Sequence, residues 1–390
     1  MQSNNLIRIC AAGAGKTYSI CHEAIHEAES KRTLIITYTN RGINSIRKEL
    51  CYANRGVLPV NVDAVTWYTF LLKEMIKPYQ TELYGINELN GLNFLMMHEV
   101  NYAKKGTKAR YVDKSFYVRA EVASELAIEL NSRTNGAVLD RLERIYSHIY
   151  IDEVQDMAGY DLNLIELLMR SGLSVTIVGD GKQATFQTHY ARKNKNKSGQ
   201  NFWDFFAAAC KQNLAKIQCN LMSRRFNGEI CNYANRIYPN NNNISTLMNT
   251  ITGHDGVFLI RKSDVGVYYN CFTPVVLKYD IKTDTLGYTS YNFGECKGMT
   301  FDRILIFPNK TMLAFLKKGT PLKSPQKYYV AVTRPRYSIA IVVDKFPNNT
   351  AYEFQKLKLI GTQIDVLHVI PNKQFDINSH VFEIKTDVRE

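Results

Sequence analysis

Short apolar runs that end in glycine or an acid recur along the chain, and they set the predicted elements. LIRIC (Leu6–Cys10) runs straight into a glycine loop, Ile149–Ile151 runs into Asp152 and Glu153, and SVTIVGD (Ser174–Asp180) ends on an acid. Runs without polar alternation predict strands buried on both faces, as in parallel sheets. KIQCNLM (Lys216–Met222), RILIFP (Arg303–Pro308) and SIAIVVD (Ser338–Asp344) repeat the pattern further on and predict a second sheet. KSFYVRAEVASELAIEL (Lys114–Leu130) has an amphipathic, helical pattern. PNNNN (Pro239–Asn243) opens a linker-like stretch, and GVFLIRK (Gly256–Lys262) with VVLKYDI (Val275–Ile281) then predicts a hairpin-sized insertion. The expected fold class is α/β with two lobes of mainly parallel sheet. Residues 1–70 and 147–211 form the first lobe, interrupted by a small helical insertion at 71–146. Residues 213–344 form the second, with a very short insertion at about 240–288, and 345–390 form a C-terminal tail.

The stretch RICAAGAGKTYSICHEAIHEAE (Arg8–Glu29) holds two chemistries that exclude each other. In AAGAGKT, Gly13 and Gly15 allow turns in which successive amides, from Ala12 through Ala14, converge on phosphate oxygens. Lys16 reaches the outer phosphates, Thr17 offers a hydroxyl to magnesium, and the helix that opens there favours an anion at its N-terminus. Cys10 stands at the first position of the motif, where glycine is usual. HEAIH would place His22 and His26 one turn apart on the same helix, as a zinc site requires. No third ligand is suggested nearby, so the phosphate loop is preferred and no zinc is expected. A magnesium-binding acid is then owed at another strand end. HIYIDEVQD (His148–Asp156) supplies it, with Asp152 on the metal and Glu153 polarising the attacking water. In GDGKQATF, Gln183 is placed to sense hydrolysis and Phe186 to offer a face to a base.

Of the 390 residues, 45% are hydrophobic and 22% charged, which is ordinary for a globular chain. The net charge of +13, from 49 Lys and Arg against 36 Asp and Glu, is not, and it points to a polyanionic partner. No apolar run is long enough to span a membrane, and the eight cysteines form no CxxC pair, so a cytoplasmic chain with reduced thiols is expected.

Taken in order, these motifs resemble those of UvrD/Rep-like superfamily 1 helicases. TYTNRGINSIRKEL (Thr37–Leu50) and TWYTF (Thr66–Phe70) are similar to segments that touch single-stranded DNA there, and DEVQD and GDGKQ to the hydrolysis and coupling motifs. RRFNGEICNYAN (Arg224–Asn235), GECKGMTFDRILIF (Gly294–Phe307) and YYVAVTRPR (Tyr328–Arg336) are similar to the later motifs. The resemblance implies two RecA-like lobes that close on ATP and Mg2+, with Lys16, Glu153, Gln183, Arg225 and Arg334 catalytic. It implies Tyr18, Arg224 and Gly298 as further nucleotide contacts, and Thr39, Asn40, Thr66, Phe70 and Phe186 on the nucleic acid. The adenine-stacking tyrosine of the family is here Arg224, and its ribose-contacting acid is Thr300. The implied activity is ATP-driven 3′-to-5′ movement on single-stranded DNA. The competing readings are a nucleic-acid-stimulated ATPase that regulates a partner nuclease, an RNA helicase, and a binding module with an inert nucleotide site.

Overall fold

The computed structural model describes residues 4–28, 31–83, 85–95, 102–185, 193–197, 201–239, 243–347, 352–359 and 361–370. Two sheets organise these residues. The first has six strands in the order Val62–Thr66, Arg32–Thr37, Tyr146–Ile151, Ser174–Gly179, Leu6–Cys10 and Lys216–Asn220, every pairing parallel. Alternate side chains of these strands enter two different cores, which is why the runs carry no polar alternation. Ile7, Leu34, Ile36, Ile149, Ile151 and Ile177 face one side. Cys10, Ile35, Tyr150 and Val178 face the other, against Ile20, Cys21 and Ala24 of the helix Lys16–Glu27.

The second sheet has seven strands in the order Ser290–Asn292, Val275–Lys278, Phe301–Phe307, Pro335–Val343, Gly256–Arg261, Asp365–Ile370 and Glu353–Lys358. The first five pair in parallel, and the last two add an antiparallel hairpin at the edge. Two expectations are corrected here. The runs GVFLIRK and VVLKYDI are strands, but they are inner members of the second sheet and not a hairpin insertion. KIQCNLM does not open the second sheet: its strand Lys216–Asn220 closes the edge of the first, with Leu6 opposite Lys216. From the tail, the strands Glu353–Lys358 and Asp365–Ile370 form the hairpin at the edge of the second sheet.

Between residues 71 and 146 the chain is mainly helical, with helices Ala123–Arg133 and Ala137–Ile145 and a short parallel strand pair, Gly91–Asn93 with Tyr117–Arg119. The amphipathic stretch 114–130 is therefore part strand and part helix. Its side chains Leu126, Ala127 and Leu130 share one core with the strands of the first lobe, so the insertion is packed onto that lobe. All eight cysteines are free thiols. No helix among the described residues is long and apolar enough to cross a membrane.

Candidate functional site

Three loops leave the C-terminal ends of parallel strands in the first lobe, and each carries chemistry. After Cys10, Gly13 and Gly15 both adopt left-handed backbone, at φ +75 and +81, which only glycine takes without strain. Gly13 is also crowded: a Cβ there would lie 2.6 Å from both Arg225 Cβ and Ser223 Oγ. Its carbonyl accepts the Arg224 amide at 2.9 Å, so the phosphate loop is stitched to the arginine segment of the second lobe. Ala11 and Ala12 pack into the second lobe's core for the same reason. Lys16 folds back and donates to Ala11 O at 3.3 Å. Tyr18 is exposed and packs against His22, ring centroids 3.9 Å apart and tilted by 30°.

After Ile151, the Asp152 amide donates to Ile36 O at 2.8 Å, which ties the acid loop to the neighbouring strand. Thr17 Oγ1 donates to Asp152 Oδ2 at 3.3 Å, so the two groups assigned to magnesium already face each other. Glu153 is held in left-handed backbone (φ 57, ψ 40), a strained conformation for a non-glycine residue that recurs at functional sites. Its carboxylate accepts from the Gln155 amide. Gln155 Oε1 in turn accepts the Asp180 amide at 3.1 Å, joining the second loop to the third. In the third loop Gln183 Nε2 donates to Asp180 Oδ2 at 2.7 Å.

The second lobe answers with cations. Arg334 follows the helix Pro325–Val332 and is 2% exposed. It donates through Nη2 to Gln183 Oε1 at 3.0 Å and through Nε to Val330 O at 2.8 Å. Arg225 donates to Thr333 O at 3.1 Å, immediately beside Arg334. Burial, and then the like charge of Arg334, push the Arg225 guanidinium down to about 9.

Lys297, which precedes Gly298 in KGMT, is the residue the motif reading missed. Its ammonium sits 2.7 Å from Asp156 Oδ2 and 3.6 Å from Glu153 Oε2, bridging the lobes. Burial opposes that charge, but Asp156 and Glu153 outweigh it and raise the pKa of Lys297 above its ordinary value. Burial also opposes the Glu153 charge, yet Lys297 and then Lys16 hold this carboxylate below the usual range. Burial, then the neighbouring Glu153 charge, push Asp152 up. Gly298 itself is exposed at φ +80, where a side chain would meet only Arg41 Cδ at 3.9 Å. Arg41 closes a further contact between lobes, donating to Glu295 O at 2.7 Å.

The residues expected on nucleic acid divide. Thr39 and Asn40 are exposed at the start of the helix Asn40–Ala53, with Thr39 capping it through Gly42 N at 3.0 Å. Thr66 caps its own helix through Thr69 N at 3.2 Å. Phe70 must be corrected: it is fully buried against Trp67, so its ring belongs to the core and cannot meet a strand. Phe186 lies outside the described residues. Of HEAIH, His22 lies 3.3 Å from Glu49 and His26 is exposed, and no group of three or more His, Cys, Asp or Glu among the described residues could hold a metal.

A family model described as an AAA domain matches residues 1–188. No curated protein matches the chain. Among solved structures, Arterivirus nonstructural protein 10, a helicase, is similar at 14% identity and a TM-score of 0.45 over 87% of this chain. The same viral protein in complex with DNA is similar at 14% identity and a TM-score of 0.44. This chain covers only 59% and 60% of those two chains.

Proposed function

We propose that this chain is an ATP hydrolase driven by single-stranded nucleic acid. The observation that carries this reading is the meeting of a glycine loop and paired acids on one lobe with Arg225, Arg334 and Lys297 on the other. ATP needs its phosphates cradled, its metal held and its transition-state charge neutralised. Backbone amides from Ala12 to Gly15 and the Lys16 ammonium would hold the phosphates, and Thr17 and Asp152 fit a magnesium ion. That ion would neutralise phosphate charge. Glu153, kept ionised, would take the proton of the attacking water. Arg225 and Arg334 would neutralise charge on the outer phosphate. The hydrogen bond from Arg334 to Gln183 links this chemistry to the loop that leads toward the expected strand contacts.

The resemblance to UvrD/Rep-like helicases adds a finer reading, that the strand is DNA and that movement runs 3′ to 5′. Between Asn235 and KGMT the described chain builds strands of the second sheet, which leaves little of it for a separate regulatory subdomain. Translocation is therefore expected to be stronger than unwinding. Displacement of streptavidin from end-labelled strands, run beside a duplex-unwinding assay, tests both statements. Streptavidin should leave the 5′ end of DNA and long duplexes should persist; displacement from neither end would refute translocation.

A further inference from the structure

A group of lysines gathers where the helical insertion meets the start of the helix Tyr160–Met169. Tyr160 opens the helix Tyr160–Met169 and is half-buried there. Two ammonium groups from distant parts of the sequence converge on its ring, Lys193 at 4.3 Å from the centroid and Lys105 at 5.4 Å. The ring holds both by cation–π attraction, yet like charges gathered on one ring repel. Lys108 is held in the same way, 4.6 Å from the centroid of Phe116. Lys104 and Lys114 are exposed beside these residues in sequence, with the exposed aromatics Tyr102 and Tyr117.

Among the described residues of this region, the acids Glu125, Glu129 and Asp113 are already engaged. Glu125 is bound to Arg110 at 2.7 Å and Glu129 to Arg133 at 3.0 Å. Asp113 accepts from the Asn93 amide at 2.7 Å and from the Ser115 and Tyr117 amides. Lys104, Lys105, Lys108, Lys114 and Lys193 have no carboxylate partner among the described residues. The backbone beneath is fixed: Asn194 donates to Gly159 O at 2.8 Å and Arg133 to Gly106 O at 3.2 Å. Lysines without a described acid partner, held over the faces of aromatic rings, suit repeated phosphates rather than stacked bases.

We propose that the seam of Lys105 and Lys193 over Tyr160, continued by Lys108 on Phe116, binds the phosphate backbone of the same nucleic acid that drives hydrolysis. This rests on the reading of the chain as a nucleic-acid-dependent enzyme. Such a track would bind without regard to sequence and hold the strand on the first lobe while the second moves.

The test is anisotropy titration of a labelled single-stranded oligonucleotide across a salt series, with wild type, the Lys105→Ala/Lys193→Ala double variant and the Lys105→Arg/Lys193→Arg double variant. Thermal unfolding of each checks that the fold is kept. Losing two phosphate contacts should make the slope of log K against log salt shallower by about 1.4 and weaken binding roughly tenfold or more at 0.1 M salt. The arginine variant should bind as wild type does. Strand binding by wild type with an unchanged slope and affinity in the alanine variant would overturn this surface and leave the hydrolase reading standing. Absence of strand binding by wild type would overturn both. Preference of wild type for polyglutamate over the oligonucleotide would assign the surface to an acidic protein and refute the proposal.

Discussion

The two lobes bring opposite charges to one cleft by different structural means. In the first, the loop glycines, Asp152, Glu153 and Gln183 all follow the C-terminal ends of adjacent parallel strands, and backbone bonds to those strands hold them. In the second, Arg225 precedes the helix Gly228–Ile237, Lys297 lies in a turn and Arg334 precedes a strand. The first lobe thus carries its acids and glycine loop on strand ends of one sheet, with the loop also bonded to Arg224 of the second lobe. The second delivers cations whose position depends on how the lobes sit together. Chemistry that needs both sets can be controlled by moving one lobe against the other.

The contrast is broken most severely at Arg334. Arg334→Ala should lower ATP turnover about a thousandfold or more, since an arginine on the outer phosphate contributes on that scale. Phosphate release at saturating ATP checks this, and turnover within tenfold of wild type would remove Arg334 from the reaction. On the cradle side, Glu153→Gln should lower turnover by about 10²–10⁴ while ATP stays bound, because only the water-polarising charge is lost. Lys16→Ala should lose nucleotide binding itself, and equilibrium binding of a fluorescent ATP analogue separates the two variants.

Lys297 sharpens the comparison because it joins the lobes through side chains alone. Lys297→Ala leaves the buried Asp156 carboxylate without its cation and deprives Glu153 of one of its cations, which should weaken the lobe contact by roughly 3 kcal/mol. Small-angle scattering should then show a larger radius of gyration without nucleotide; an unchanged radius would mean that the latch does not hold the lobes. The smallest effect belongs to the second lobe alone. His254 is buried between Phe258 and Phe272, with Nε2 2.9 Å from the Tyr268 hydroxyl, and its backbone carbonyl accepts from Arg303. Burial, then the Arg303 and His368 charges, push it down to about 3 from 6.5. The unfolded chain therefore binds more protons below 6.5, and stability falls as pH drops from 6.5 toward 3. At pH 5 the loss is about 2 kcal/mol. Denaturation at pH 7 and pH 5 should show a smaller difference between the two in His254→Phe than in wild type.

Local geometry carried by contiguous residues was legible in the sequence. A glycine loop after an apolar run, or two acids after another, needs only local geometry; Gly13 and Gly15 take left-handed backbone there, and Thr17 donates to Asp152. Strand order was less legible, because an apolar run shows that a strand is buried without showing beside which neighbour. That is why Lys216–Asn220 was expected in the wrong sheet and Gly256–Arg261 in an insertion. Phe70 misled for a related reason, since an aromatic after a strand suits a core or a stacking surface equally until its helix is placed. Lys297 was not legible because its partners, Asp156 and Glu153, belong to the other lobe.

The most direct test of the account is the ATP turnover of the purified wild-type chain, with and without a saturating single-stranded oligonucleotide. If the strand favours the closed arrangement in which Arg225 and Arg334 face the phosphate loop, turnover should rise at least tenfold on its addition, and the rise should disappear in high salt. The same turnover with and without the strand, at any salt concentration, would contradict the claim that nucleic acid drives this hydrolysis.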